Sequence, residues 1–414
     1  MNSNRQKIKA LMLSAAVALP PILLAQDAWM MRDSVNGPHR SAAIGFSLPN
    51  GQGYIGTGWD GDSYKRSFFS YDPQQDDWDQ ETSIGGITGQ GLGRSSAACF
   101  TIGVDAYVGT GQGANPFFKD FWKYDPYAKV WTQVADFGGT GRRSAIAFSI
   151  NNYGYVGTGY DQYLNYKNDF WKYDPIDNAW SPVSPFPGTA RDQAVAFVID
   201  TIAYAGTGDD GTFTRDFWKY NPSTDQWNQI ADFPGTPRYG AAAFSVDTAG
   251  FLCTGYDSTF HFNRDIWEYH PINDEWVERA PLPGPPRSHA TAFSINGTGY
   301  LGLGYRGILM DDFWAYFPTV GVNEYKQKTK LRIFPNPANE FINVVFPDLS
   351  KLPASIKLYS ATGRYIRERV ISTGMAKAPI RLNTRDLPVG VYFLLTEGSS
   401  TGAARFIVQH NRQQ

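Results

Sequence analysis

From residue 40 onward the chain runs in short apolar/polar alternations, such as Ala147-Phe148-Ser149-Ile150, separated by Gly, Pro, Asn and Asp. Period-two alternation over short runs bounded by turn residues predicts β-strands joined by tight turns. The alternation itself recurs. Phe follows Arg by six residues at Arg40/Phe46, Arg94/Phe100, Arg142/Phe148, Arg191/Phe197, Arg238/Phe244 and Arg287/Phe293. An aromatic and a Gly-x-Gly come next, as in Tyr155-Val156-Gly157-Thr158-Gly159. A phrase like Asp169-Phe170-Trp171-Lys172-Tyr173-Asp174-Pro175 follows, and a Trp stands five residues after the proline. The arginines are spaced 54, 48, 49, 47 and 49 residues apart. Four strand-like runs per period of roughly 50 residues predict propeller blades.

Within each unit, strand a is the Arg-to-Phe run, b ends at Gly-x-Gly, c holds Phe-Trp-x-Tyr and d starts at the second Trp. Alternation places Trp171 and Tyr173 on one face of c, against a neighbouring blade. Units one to five end in Trp78, Trp131, Trp180, Trp227 and Trp276, whereas the sixth has Asn323 at that place. Trp29 precedes Arg40 by 11 residues, the Trp-to-Arg interval of four other joints. The segment after residue 25 is therefore expected to supply the missing d strand, closing the ring and covering two sheet edges.

These repeats resemble the kelch motif, with Gly-Thr-Gly where that motif has a glycine doublet, and the resemblance covers residues 26–319. It implies an all-β, six-bladed propeller of the galactose-oxidase-like kind. Residues 331–414 also read as strands, including Phe341–Phe346, Ile356–Tyr359, Val391–Leu395 and Arg405–Val408. Their phrases Phe334-Pro335-Asn336-Pro337-Ala338, Leu358-Tyr359-Ser360-Ala361-Thr362-Gly363-Arg364 and Leu387-Pro388-Val389-Gly390-Val391-Tyr392 resemble the type IX secretion sorting domains of Bacteroidetes-like bacteria. That resemblance implies a small immunoglobulin-like β-sandwich handled by the type IX machinery, with the passenger released or held at the outer-membrane surface.

Charge sharpens the division. The whole chain is balanced, with Lys+Arg 37 against Asp+Glu 39, which argues against a nucleic-acid partner. Residues 26–319 are nonetheless acidic and the tail after 320 is basic, so residues 320–330 read as a linker. Arg5, Lys7 and Lys9 ahead of the apolar run Ala10–Ala25 read as a signal peptide, residues 1–25, cut before Gln26. No later stretch is long and apolar enough to span a membrane. The mature protein is expected outside the cell or on its surface.

Candidate chemistry is sparse. Cys99 and Cys253 take small-residue positions of blades two and five, opposite in the ring, and read as unpaired buried thiols. Kelch-like galactose oxidases hold copper with tyrosines and histidines. Here His39, His261, His270, His289 and His410 show no ligand spacing, so neither metal nor cofactor is expected. Six-bladed kelch sialate mutarotases, whose acid–base work needs only carboxylates and arginines, are the nearer enzyme analogue. The Asp-rich loops Asp60-Gly61-Asp62 and Asp209-Asp210-Gly211 read as solvated turns rather than calcium sites.

Binding is expected where repetition fails. The d–a and b–c connections share one face of the disc and vary in length, and their loops carry the unassigned aromatics. Trp59, Tyr64, Phe118, Tyr160, Tyr163, Phe213, Phe262 and Tyr305 are the ligand candidates, with Phe117, Tyr166 and Phe260 beside them. The repeat arginines Arg94, Arg142, Arg191, Arg238 and Arg287 are expected to pair with Asp120, Asp169, Asp216, Asp265 and Asp312 and to be structural. Blade one has Ser67 instead, so Arg40 is expected to be a free guanidinium on the ligand face. The resulting expectation is a secreted binding module for an extracellular glycan or protein, with a mutarotase-type enzyme as the alternative.

Overall fold

The computed structural model describes residues 27–85, 92–114, 117–318, 332–336, 338–345, 353–360, 365–370, 380–398 and 402–409. The expected signal peptide, linker, Pro337, His410 and the Ile87–Gly91 stretch lie outside the described residues. Two compact units are present, Met1–Thr319 and Val320–Gln414.

Six four-stranded antiparallel sheets make up the first unit, each ordered a-b-c-d. Blade three is typical, with Ile146–Ile150, Tyr153–Gly157, Phe170–Asp174 and Ala179–Val183. Blade six is discontinuous in sequence. Its strands Thr291–Ile295, Thr298–Gly302 and Phe313–Phe317 are completed by Ala28–Arg32 from the other end of the chain. Trp29 lies opposite Tyr316 in that pairing, their ring centroids 4.7 Å apart. Its indole N–H donates to the Ala280 carbonyl at 2.8 Å. The fold is a six-bladed, kelch-type β-propeller.

The core lies between blades. Phe100 and Tyr107 of blade two share a cluster with Val156 and Tyr173 of blade three, and every joint repeats that arrangement with its own aromatics. Glycine on strand b follows from the neighbouring ring. A Cβ on Gly157 would come within 2.1 Å of the Phe170 ring, its partner across the ladder. Blade five pairs Cys253 with Ile266 at these two positions, so the smaller neighbour leaves room for the thiol.

A buried arginine organises each blade. Arg142 is fully buried, and its Nη1 donates to the Thr158 carbonyl at 2.9 Å and its Nε to the Thr140 carbonyl at 3.1 Å. Both Nη atoms reach the Asp169 carboxylate, at 2.6 and 2.9 Å, and the Trp171 indole donates to that carboxylate at 2.9 Å. Arg94, Arg191, Arg238 and Arg287 hold Asp120, Asp216, Asp265 and Asp312 in the same way. Burial by itself pushes these carboxyls up, yet the arginine's hydrogen bonds and charge hold Asp120, Asp169 and Asp312 below the ordinary carboxylate value.

The second unit is a two-sheet sandwich. Arg332–Phe334, Phe341–Val345 and Ile380–Asn383 form one sheet, and Tyr365–Val370, Pro353–Ser360, Gly390–Gly398 and Gly402–Val408 the other. Ile342 and Val344 from the first meet Ile356, Leu394 and Phe406 from the second in one buried cluster. Asn336 accepts from the Ile407 N–H at 2.9 Å, tying the Phe334-Pro335-Asn336 phrase to the last strand.

Two outcomes are expected. Asp312→Ala strands the Arg287 charge in the interior and should cost about 3 kcal/mol in equilibrium unfolding. Because the carboxyl is held low when folded, the pair contributes above the ordinary carboxylate range and is lost as pH falls through the lower folded value. The variant should therefore show a shallower acid limb in its Tm–pH profile. Deleting residues 26–34 unpairs the outer edge of Phe313–Phe317 and should lower Tm and cause concentration-dependent aggregation. Unchanged melting would remove the closing role of that strand.

Candidate functional site

Strand a lines the central channel with small side chains. One layer is Gly45, Cys99, Ala147, Ala196, Ala243 and Ala292, and a layer of mainly hydroxyl residues, including Ser47, Thr101 and Ser149, lies beyond it. The channel holds cavities of about 180 and 240 Å³. Cys99 is thus in the channel wall and half-buried, rather than in the interior as the sequence suggested, with desolvation pushing its thiol up to about 12. Cys253 is buried, and burial raises its pKa.

The second residue after each repeat arginine forms the mouth of this channel. Ala42, Ser96, Ser144, Gln193, Gly240 and His289 all have φ between 51° and 57°. Their backbones form a closed ring, in which Ser96 N donates to Ala42 O, Ser144 to Ser96, Gln193 to Ser144, Gly240 to Gln193, His289 to Gly240 and Ala42 to His289. The first residue after each arginine bridges to the b–c loop, as in Ser41↔Trp59, Ser95↔Gln112 and Asp192↔Asp209. The d–a and b–c connections therefore meet around one opening.

Side chains from four blades make a continuous polar chain there. His289 Nε2 lies 2.5 Å from Gln193 Oε1, and Gln193 Nε2 donates to Asp192 Oδ1 at 3.5 Å. Asp192 Oδ2 lies 3.9 Å from Arg143 Nε, and Arg143 Nη1 donates to Gln112 Oε1 at 2.9 Å. Ser288 Oγ is 2.9 Å from His289 Nδ1, a partner set that suits a neutral ring donating through Nε2. The histidine reaches across blade five because residue 240 is glycine, whose Cβ would stand 3.0 Å from the imidazole. Arg143 lies over the Phe117 and Tyr160 rings, and its buried Nε has no hydrogen-bond partner.

Burial sets the electrostatics. It pushes the Asp192 carboxyl up to about 6, with Asp209 adding to the rise and Arg143 opposing it. It pulls His289 down to about 4, helped by the Arg143 charge. At neutral pH the cluster thus holds a carboxylate within reach of protonation, a fixed cation and a neutral imidazole. Among the described residues, no group of three His, Cys, Asp or Glu is placed to hold a metal ion. Asp60 and Asp209 accept backbone N–H groups of their own loops.

The aromatics named from sequence fall into several groups. Trp59 and Tyr64 pair at 4.7 Å on blade one, and Tyr160 packs on Tyr166 at 5.1 Å on blade three. Phe213, Tyr239, Tyr256, Phe262 and Tyr305 form a chain of ring contacts, from 4.8 to 6.2 Å, across blades four to six. Tyr163, Phe260 and Tyr305 are exposed. Phe118 differs from expectation. Its ring covers the Arg94 guanidinium at 4.4 Å and serves packing. Arg40 also departs from expectation, being fully buried and bonded to the Pro38 and Thr57 carbonyls rather than free on the face. Arg143, Asp192, Gln193, Tyr239 and His289 were not foreseen, although blades one, two and six place Ser41, Ser95 and Ser288 after the arginine where these blades place Arg143, Asp192 and Tyr239.

Known proteins share parts of this architecture. Residues 191–234 match the kelch motif, and residues 332–409 match the secretion system C-terminal sorting domain. The solved structure of YjhT is similar with a TM-score of 0.57 and 17% identity, covering 68% of this chain and 96% of that one. Among curated proteins, none matches this chain. By fold the first unit is a kelch-type propeller, and the tail matches a secretion system C-terminal sorting domain. Among the described residues, no helix is long and apolar enough to cross a membrane.

Asp192 supplies a test of the cluster. Its folded pKa is raised, so folding disfavours the ionised form, and the penalty enters as pH rises from the ordinary carboxylate range through about 6. Asp192→Asn should remove that penalty, worth about 2–3 kcal/mol above pH ~6. The gain in Tm over the parent should be seen at pH ~7 and vanish near pH ~4. A gain of equal size at both pH values would mean that the carboxyl is not held high.

Proposed function

We propose that the mature protein binds an extracellular glycan end over the channel mouth, on the Gln112–Arg143–Asp192–Gln193–His289 chain and the aromatic loops around it. The observation that carries this reading is the concentration of non-repeated polar side chains at the channel mouth formed by the d–a and b–c connections. Sugar hydroxyls both donate and accept, which suits alternating amides, carboxylate and guanidinium, while ring faces suit Tyr and Trp. A protein loop would use the same surface, so the decisive measurement is a glycan array read with the full chain.

A mutarotase-type reaction is the second reading, favoured by Asp192. A carboxyl that titrates near 6 can take a proton from a sugar hydroxyl and return one, with Arg143 stabilising negative charge. Proton-exchange spectroscopy on any sugar that binds separates the readings. Catalysed anomer exchange lost in Asp192→Asn supports the enzyme, and unchanged exchange supports binding alone.

Export completes the proposal. Residues 1–25 are removed on crossing the inner membrane, and residues 331–414 address the propeller to the type IX machinery.

Replacing Trp59, Tyr160 and Tyr305 together with Ala should weaken glycan capture about tenfold or more while leaving Tm nearly unchanged. Loss of capture on altering Asn151–Tyr153, in an a–b turn, with the triple variant unaffected, would move the ligand to the other face. Removing residues 331–414 should leave a folded propeller inside the outer membrane. Normal recovery in the medium would assign the tail another role.

A further inference from the structure

Blade one departs from the arginine pattern at three positions that meet in space. Ser67 stands where the other blades place Asp120, Asp169, Asp216, Asp265 and Asp312. Phe69 replaces the tryptophan that donates to that aspartate, as Trp171 does to Asp169. Val35, five residues before Arg40, replaces the phenylalanine seen at Phe137, Phe186 and Phe233. Each change removes volume around the same guanidinium. Beside Ser67 and Phe69 lies a cavity of about 530 Å³, lined by Asn36, Gly37, Pro38, Ser67, Phe69, Trp78 and Gln80, and Ser67 connects it to the Arg40 guanidinium behind. Asn36, Gly37 and Gln80 are exposed, so the cavity opens to solvent at the outer side of the blade.

Arg40 retains the rest of the pattern. Its Nε donates to Pro38 O at 3.2 Å and its Nη1 to Thr57 O at 3.0 Å. Its Nη2 donates to Ser67 Oγ at 3.3 Å, where the other arginines meet a carboxylate. The guanidinium is fully buried and, among the described residues, forms no ion pair. Burial lowers its pKa to about 10, with Asp60 opposing the shift, so it remains a cation at neutral pH. Asp60 itself is engaged by Lys65. A buried cation without a counter-charge is costly, and five internal examples show which group satisfies it.

We propose that this cavity binds the carboxylate of a small acidic ligand, which takes the place of the aspartate that blade one lacks. The carboxylate accepts a hydrogen bond from the Ser67 hydroxyl, whose Oγ is already held by Arg40 Nη2. The Asn36 and Gln80 amides flank it, and the Phe69 and Trp78 rings offer apolar walls to the ligand's body. This site is independent of the channel mouth.

The test uses thermal shift and calorimetry on the full chain. D-glucuronate and N-acetyl-L-glutamate are the probes, with D-glucose and N-acetyl-L-glutamine as their neutral counterparts. Both acids should raise Tm and bind at least about tenfold tighter than their counterparts. The stronger of the two tells whether the ligand is a sugar acid or an acidic amino acid. Ser67→Asp supplies the missing carboxylate internally. It should raise Tm on its own and abolish the response to both acids, while glycan capture at the channel mouth is unchanged. Phe69→Trp, which fills the cavity, should also abolish the response and serves if the first variant folds poorly. Equal responses to acid and neutral probes, or a full acid response in a folded variant, would overturn the proposal.

Discussion

One buried guanidinium per blade holds the propeller in its geometry. The arginine binds the carbonyl two residues before it, the carbonyl of the x residue in Gly-x-Gly and, in five blades, an aspartate at the start of strand c. Its own carbonyl accepts a hydrogen bond from the second glycine of the preceding blade, as Arg191 O does from Gly159 N at 2.7 Å. One residue therefore joins the d–a joint, the end of b, the start of c and the neighbouring blade. Gly304 N bonding Arg40 O at 3.0 Å carries the series across the junction of blades six and one. The arginine is retained in all six places although a buried ion pair gives little net stability, because removing either partner exposes a large desolvation cost.

The backbone conformations follow from this anchor. In Gly-x-Gly the middle residue takes a positive φ, 59° at Thr158 and 60° at Thr57. A β-branched residue pays for that conformation only because both of its backbone groups are spoken for. Thr158 N donates to the Asp169 carbonyl, and its own carbonyl accepts from Arg142. The glycine after it needs its freedom for a different reason, since a Cβ at Gly159 would lie 2.8 Å from the Arg143 carbonyl. Strain and charge are thus placed together, and each is satisfied by the other.

Repetition explains what could be read from the sequence. Blades were legible because six copies of one pattern separate signal from accident, and the Phe170-Trp171-x-Tyr173 phrase states its own register. The mouth residues were illegible for the same reason. Arg143, Asp192, Tyr239 and His289 each occur once, and a single departure within a repeat looks like drift until the ring brings several together. Burial was the other hidden quantity. Ser67 was read correctly as a missing aspartate, but the lack of a partner did not make Arg40 exposed, since its backbone acceptors hold it inside. Phe118 misled in the opposite way, an apparent loop aromatic that folds back over Arg94.

Closure connects the scaffold to its site. The polar chain takes Gln112 from blade two, Arg143 from blade three, Asp192 and Gln193 from blade four and His289 from blade six, so no single blade contains the cluster. Its distances depend on the ring of hydrogen bonds among Ala42, Ser96, Ser144, Gln193, Gly240 and His289. That ring can be complete only if blade six is held against blade one. The chain does this by running from Ala28–Arg32, the outer strand of blade six, straight on to Arg40 of blade one, while Phe293, Tyr300 and Phe313 pack on Ile55, Tyr71 and Trp78. A strand on the outer rim therefore governs the spacing of side chains at the central axis. Small adjustments of an open ring would spread over all the joints, whereas a closed one fixes the mouth. Precision at the mouth is the physical return on joining the two ends of the propeller in a single sheet.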